Sequence, residues 1–223
     1  MQQEGGDDGD PGATGSVQLI NSDYSTTFFS FSYSWWSAYG WKRRCKSDIP
    51  VAENMKLIDQ HVCYNQCGLR IKKDLLDGCA VVIFAYGLSG SGKTFSVFGL
   101  DDAKSDTAWF FQKDEKAEGA NMWGIYPRLA FEVCALKTDG WKLKMKYFQN
   151  VVDIVRDLMS PTGEEQQYKA GMQKDEDGFM DIKWCGQKII ADWDDLRATF
   201  QVSNARKAIS PTQFNHQSTR GHW

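Results

Sequence analysis

An α/β fold is predicted, with a central, mostly parallel or mixed sheet flanked by helices. Three observations predict it: a continuous apolar run at residues 80–85, the glycine-rich segment directly after it, and helical periodicity on either side. A short run that is apolar at every position and bounded by turn residues is the pattern of a strand covered on both faces. With 223 residues, 42% of them hydrophobic, the chain carries enough apolar material for one sizeable core, and a single domain is expected.

The elements follow in order. Residues 1–16 hold five glycines and four acids but no basic residue, so an acidic, Gly-rich disordered tail is expected there, with the folded part at 17–223. Residues 26–36 are rich in Phe, Tyr, Trp and Ser, the composition of a strand leading into aromatic packing. Cys63, Cys67, Ile71 and Leu75 recur at intervals of four and share one helical face, with Asp77-Gly78 as the stop. The polar stretch 100–121 reads as a surface insertion. Pro127 opens a second helix bearing Leu129, Val133 and Leu136. Leu143, Met145 and Tyr147 alternate with Lys142, Lys144 and Lys146, a half-buried strand. Val151, Ile154, Val155 and Leu158 predict a short helix. Residues 160–178 form a charged connection, and 179–190 a strand or hairpin. Asp192 caps a last helix through Trp193, Leu196 and Phe200, with Asp195 three residues after the cap.

Composition narrows the function classes. A net charge of −3 lacks the basic excess of a free-standing nucleic-acid binder. None of the six cysteines forms a C-x-x-C pair, and Cys63 and Cys67 read as small buried hydrophobes, so no cysteine–histidine metal site is expected. The N-terminus lacks the basic-then-apolar order of a signal peptide, and the apolar run at 80–86 is too short to span a bilayer. A reduced, cytoplasmic setting without membrane insertion is the expectation.

The chemical signal is Gly87-Leu88-Ser89-Gly90-Ser91-Gly92-Lys93-Thr94, which fits G-x-x-x-x-G-K-[ST] without a mismatch. Glycines let the backbone curl so that successive N–H groups face phosphate oxygens. The helix expected next adds its partial positive charge. Lys93 reaches the β- and γ-phosphates, and the Thr94 hydroxyl ligates Mg²⁺. The ligand expected is therefore a nucleoside polyphosphate with Mg²⁺.

The surrounding residues resemble one family. Ile83-Phe84-Ala85-Tyr86-Gly87 through Phe98-Gly99 resembles the P-loop segment of kinesin motor heads, with its Phe-Ala-Tyr-Gly lead. Phe31-Ser32-Tyr33-Ser34-Trp35-Trp36-Ser37 is similar to the Phe-Asp-Tyr-Ser-Tyr-Trp-Ser stretch of the third kinesin subfamily. Trp123-Gly124-Ile125-Tyr126-Pro127-Arg128 resembles the Gly-Ile-Ile-Pro-Arg lead into that family's second helix, and Val155-Arg156-Asp157-Leu158 resembles Val-Arg-Asp-Leu-Leu. The Tyr-Asn-Glu that precedes the latter in the family reads Val151, Val152 and Asp153 here. Asn215-His216-Gln217-Ser218-Thr219-Arg220-Gly221-His222 is similar to the switch I motif N-x-x-S-S-R-S-H, with Gly221 in place of a serine.

By this resemblance the chain is expected to be a P-loop ATPase head, part of a microtubule motor, with ATP or ADP and Mg²⁺ as its ligands. Gly87, Leu88, Ser89, Gly90, Ser91, Gly92, Lys93 and Thr94 would cradle the nucleotide phosphates, and Phe95 would stack on adenine. Ser218, Thr219 and Arg220 would act at the γ-phosphate, with Thr94 and Thr219 toward Mg²⁺. The family's Arg-x-Arg-Pro strand is absent near 17–20. Its D-L-A-G-S-E switch II, main filament-binding helix and neck linker are expected beyond Trp223, so the resemblance implies an incomplete head. Asp175-Glu176-Asp177-Gly178 matches D-x-x-G by letters only, and Asp192 after Ile189-Ile190-Ala191 is a helix cap rather than a Walker B acid. Two other classes stand beside the motor: a degenerate nucleotide-binding or interaction module without turnover, and an unrelated P-loop NTPase such as a small kinase.

Overall fold

A computed structural model of the chain describes residues 3–4, 15–35, 58–100, 108–116, 120–136, 140–151, 154–162, 165–167, 172–174 and 180–207. The chain divides into two compact units, Met1–Arg70 and Ile71–Trp223.

In the first unit, β1 (Gln3–Glu4), β2 (Gly15–Ile20) and β3 (Thr26–Phe31) form an antiparallel sheet. Val17 pairs with both Gln3 and Phe29, so strand structure reaches into the stretch 1–16. The β2–β3 turn is built by Asp23, whose carboxylate accepts from the Ser25 amide at 3.0 Å and its hydroxyl at 2.6 Å. Phe28, Phe29 and Phe31 lie exposed on this hairpin. Helix α1 (Gln60–Cys63) starts at Asp59, whose side chain accepts from the Val62 amide at 2.9 Å. A π-helical turn (Tyr64–Gly68) joins it to α2 (Leu69–Leu76). The helix ends at Asp77-Gly78, as predicted. Cys79 N–H donates back to Asp74 O and Gly78 N–H to Leu75 O, the paired bonds of a Schellman ending.

The second unit holds the core. Helix α3 (Lys93–Phe98) packs beside α4 (Ile125–Leu136), and α5 (Trp193–Asn204) closes over both. Phe98, Trp109, Phe110, Trp123, Tyr147, Trp193 and Phe200 form one aromatic cluster. Within it Trp109 and Phe200 have ring centroids 4.6 Å apart, and Trp123 and Trp193 5.3 Å. Asp192 caps α5 as its sequence predicts, accepting from the Asp195 amide at 2.8 Å. The alternation at Leu143, Met145 and Tyr147 is likewise seen: β4 (Leu143–Met145) buries Met145, Tyr147 is buried beyond it, and Lys144 faces solvent.

Several expectations are corrected. Residues 80–86 form no strand; the run carries no regular secondary structure, and all but Val81 are exposed. An apolar run becomes a doubly covered strand only when it is paired into a sheet whose two faces are both covered. None of the described strands pairs with it, and every described pairing is antiparallel. The segment Val151 to Leu158 is not a helix. It contributes to β5 (Phe148–Val151) and β6 (Ile154–Asp157), antiparallel and joined by β7 (Glu165–Gln167). Its β-branched residues favour strand, and burial follows a period of two, with Val155 and Asp157 in and Ile154 out. The polar stretch 100–121 is not simply a surface insertion, since Ala108, Trp109 and Phe110 lie at the centre of the core. For 179–190 the strand alternative holds and the hairpin does not: β9 (Met180–Ile182) pairs with β8 (Met172–Lys174), whereas β10 (Lys188–Ile190) pairs with β4.

Candidate functional site: the glycine-rich loop

The loop at 87–92 turns rather than extends, and Lys93 opens helix α3. Gly87 and Gly92 are needed where they stand. Gly92 is the N-cap at φ +89, a left-handed conformation that side chains resist. A Cβ on Gly87 would meet Ser91 Oγ at 2.5 Å. Ser91 N–H donates to Leu88 O at 3.1 Å, closing the turn at the loop tip. The first helical bond is Ser96 N–H to Gly92 O at 2.8 Å. The amides of Lys93 and Thr94 precede that bond, so the helix itself offers them no acceptor.

Lys93 points back across the loop. Its ammonium donates to Gly87 O at 2.9 Å and Leu88 O at 2.7 Å, which leaves one of its three protons uncommitted to the loop. Thr94 is half-buried at the first turn, while Phe95 is exposed on the outer side of α3. These features fit a polyphosphate: a cationic head at the loop, first-turn amides without a helical acceptor, and glycines along the curve. Gly87, Leu88, Ser89, Gly90, Ser91, Gly92, Lys93, Thr94 and Phe95 are thus brought together. Ser218, Thr219 and Arg220, and with them the rest of 215–222, lie outside the described residues.

The back of α3 is tied into the core. Gly99 forms an isolated antiparallel bridge with Trp123. Arg128, in the first turns of α4, donates to Trp123 O at 3.0 Å, Ala120 O at 2.9 Å and Asn121 O at 3.1 Å, fixing the turn against which α3 ends. Trp123 Nε1 donates to the buried Gln112 Oε1 at 2.6 Å. The block from Trp123 to Arg128 was legible as a motif, but this supporting role was not; it depends on carbonyls that only the folded turn gathers.

The family model for the kinesin motor domain matches residues 46–223. The chain belongs to the kinesin motor domain family. Among curated proteins, kinesin-like protein KIF13A of Mus musculus is 26% identical over 200 residues, covering 87% of this chain and 10% of that protein. Kinesin-1 heavy chain of Homo sapiens is 26% identical over 168 residues, covering 73% and 15% respectively. Two solved structures share the fold. One is a KIF14 motor fragment with ADP in complex with a microtubule, at TM-score 0.63 and 19% identity, covering 93% of this chain and 51% of that one. The other is a two-heads-bound KIF14 dimer with AMP-PNP in complex with a microtubule, at TM-score 0.65 and 18% identity, covering 92% and 50%. This kinesin-family chain therefore spans about half the length of the solved heads and about a tenth of KIF13A. The α/β P-loop class stands, even though a continuous central sheet is not formed among the described residues.

Cys63 and Cys67 behave as structural thiols. Cys67 Sγ donates to Cys63 O at 2.9 Å, and burial pushes the Cys63 thiol up to about 11 and raises that of Cys67. Among the described residues no group of histidine, cysteine and carboxylate side chains is arranged to hold a metal ion. None of the described helices is long and apolar enough to cross a membrane.

Proposed function

We propose that this chain is part of a microtubule motor head that binds ATP and ADP through Gly87 to Thr94 and, in the complete protein, couples ATP hydrolysis to movement along microtubules in the cytoplasm. Residues 17–223 supply part of the motor domain, behind the acidic, Gly-rich stretch 1–16. The observation that carries the reading is the glycine-lined loop at the start of α3, with Lys93 bonded to Gly87 O and Leu88 O from within the curve. Lys93 would exchange those carbonyls for phosphate oxygens, a shift to charge-assisted bonds. Phe95, 39% exposed beside the loop, would stack on adenine. Mg²⁺ would be held by Thr94 and Thr219 and would neutralise phosphate charge. Ser218, Thr219 and Arg220 would act at the γ-phosphate. The KIF14 complexes with ADP, AMP-PNP and microtubules support nucleotide and filament as the ligands.

Calorimetry with Mg-ADP tests the reading. Lys93→Ala removes a charged hydrogen bond, an effect of about 1.5–3 kcal/mol, so affinity is expected to fall tenfold or more. Equal affinity for wild type and variant, or no binding by either, refutes the assignment.

A further inference from the structure

We propose that Lys207 is a positioning residue for the phosphate-binding loop, its ammonium clamping the helix that carries Lys93 and Thr94 by holding three aromatic rings together. The proposal rests on reading residues 87–94 as a nucleotide site. Lys207 Nζ lies 5.5 Å from the ring centroid of Phe98, 5.7 Å from that of Tyr147 and 6.0 Å from that of Phe200. Those distances lie within the range where the negative ring face attracts a cation. The rings come from three separate places: the last residue of α3, the chain between β4 and β5, and the middle of α5. They are 9%, 7% and 1% exposed, so water screens the attraction far less than at an open surface.

The rings also bear on one another. Tyr147 and Phe200 stack at 5.1 Å, and Phe98 meets Phe200 at 5.5 Å. The lysine is anchored independently of Phe98. Its amide donates to Asn204 O at 3.2 Å, and Arg206 beside it donates to Leu158 O at 2.8 Å and Met159 O at 2.9 Å. Asn204 Oδ1 accepts from Tyr147 OH at 3.2 Å. The end of α5 is thus a fixed post, and Phe98 is the ring it grips on the loop's own helix. A helix of six residues has little stability of its own, so its position depends on what holds its far end. Phe98 is that end, and Lys93 begins the same six residues.

The test uses the 223-residue protein with Lys207→Met, which keeps an unbranched stem and loses the charge, and Lys207→Arg, which restores a cation. Hydrogen exchange is read without nucleotide at the amides of Ser96 and Gly99, which donate to Gly92 O and Phe95 O, each at 2.8 Å. The amides of Cys185 and Gly186, which donate to Ile182 O at 3.1 Å and Asp157 Oδ2 at 2.7 Å outside the aromatic cluster, serve as controls. Exchange at Ser96 and Gly99 is expected to quicken roughly three- to tenfold in the Met variant. It should return near wild type in the Arg variant, with the controls unchanged. Affinity for Mg-ADP should fall and recover in parallel. Unchanged exchange in Lys207→Met, equal acceleration at the controls, or no rescue by arginine overturns the proposal. If wild type fails to bind Mg-ADP, the nucleotide-site reading fails instead, and the exchange measurement still decides the role of Lys207.

Discussion

Lys93 was legible in the sequence because the chemistry of phosphate binding fixes both its identity and its neighbours. Gly87, Gly92 and Thr94 stand at set distances from it, and a local backbone curve needs no distant residue to form. Lys207 was not legible, because its partners at 98, 147 and 200 meet only in the folded unit. The cysteines show the same contrast. Spacing by four identified Cys63 and Cys67 as inward-facing, and burial then raises both thiols above the usual value. A thiol reagent at pH 8 is therefore expected to label the exposed Cys79 well before Cys63 and Cys67. Mass spectrometry of the labelled sites checks this, and early labelling of Cys63 would contradict it. The linkage has a definite sign. Cys63 ionises near 9 when unfolded and only at about 11 when folded. Its contribution to stability is therefore complete below pH 9 and is lost as pH rises toward 11.

At the scale of elements, local signals were read correctly and pairing was not. Helix α5 carries its own cap in Asp192 and its own buried stripe in Trp193, Leu196 and Phe200, so nothing beyond fifteen residues was needed to place it. The Schellman ending at Gly78 is equally local. Val151 to Leu158 failed because apolar spacing of three and four fits a helix, while β-branched side chains and a distant strand edge decided for sheet. The cap gives a direct check. Asp192→Ala leaves the Asp195 amide without its acceptor and is expected to lower stability by about 1 kcal/mol, with Asp192→Asn retaining most of it. Denaturant unfolding measures the difference, and an unchanged midpoint in Asp192→Ala would mean that the cap adds nothing. The Lys188–Asp195 ion pair at 2.5 Å joins β10 to the same turn and should be kept intact in the comparison.

For the whole molecule, the aromatic core was hidden from the sequence by its surroundings. Trp109, Phe110 and Phe111 sit between Asp101, Asp102, Lys104 and Asp106 on one side and Lys113 to Glu118 on the other, and the charge dominated any window average. The opposite error arose at 80–86, where composition implied burial that the described strands do not provide. Val82, Phe84 and Tyr86 are 87%, 77% and 90% exposed. Ala80-Val81-Val82-Ile83-Phe84-Ala85-Tyr86 is seven residues without a charge, proline or glycine, rich in strand formers and lacking a described strand partner. That combination is a template for pairing with an identical segment of another copy. The 223-residue protein is therefore expected to self-associate at concentrations of roughly 10–100 µM, the range in which exposed strand edges become aggregation-prone. Light scattering after size-exclusion chromatography reads this directly. Val82→Lys or Phe84→Lys places a charge in the run, and either should shift the protein toward monomer. The exposed hairpin residues Phe28 and Phe29 supply the control. If Phe28→Lys disperses the protein and Phe84→Lys does not, the association runs through the hairpin and the prediction for 80–86 is wrong. A wild-type protein that stays monomeric at the upper concentration would mean that this run is covered in solution.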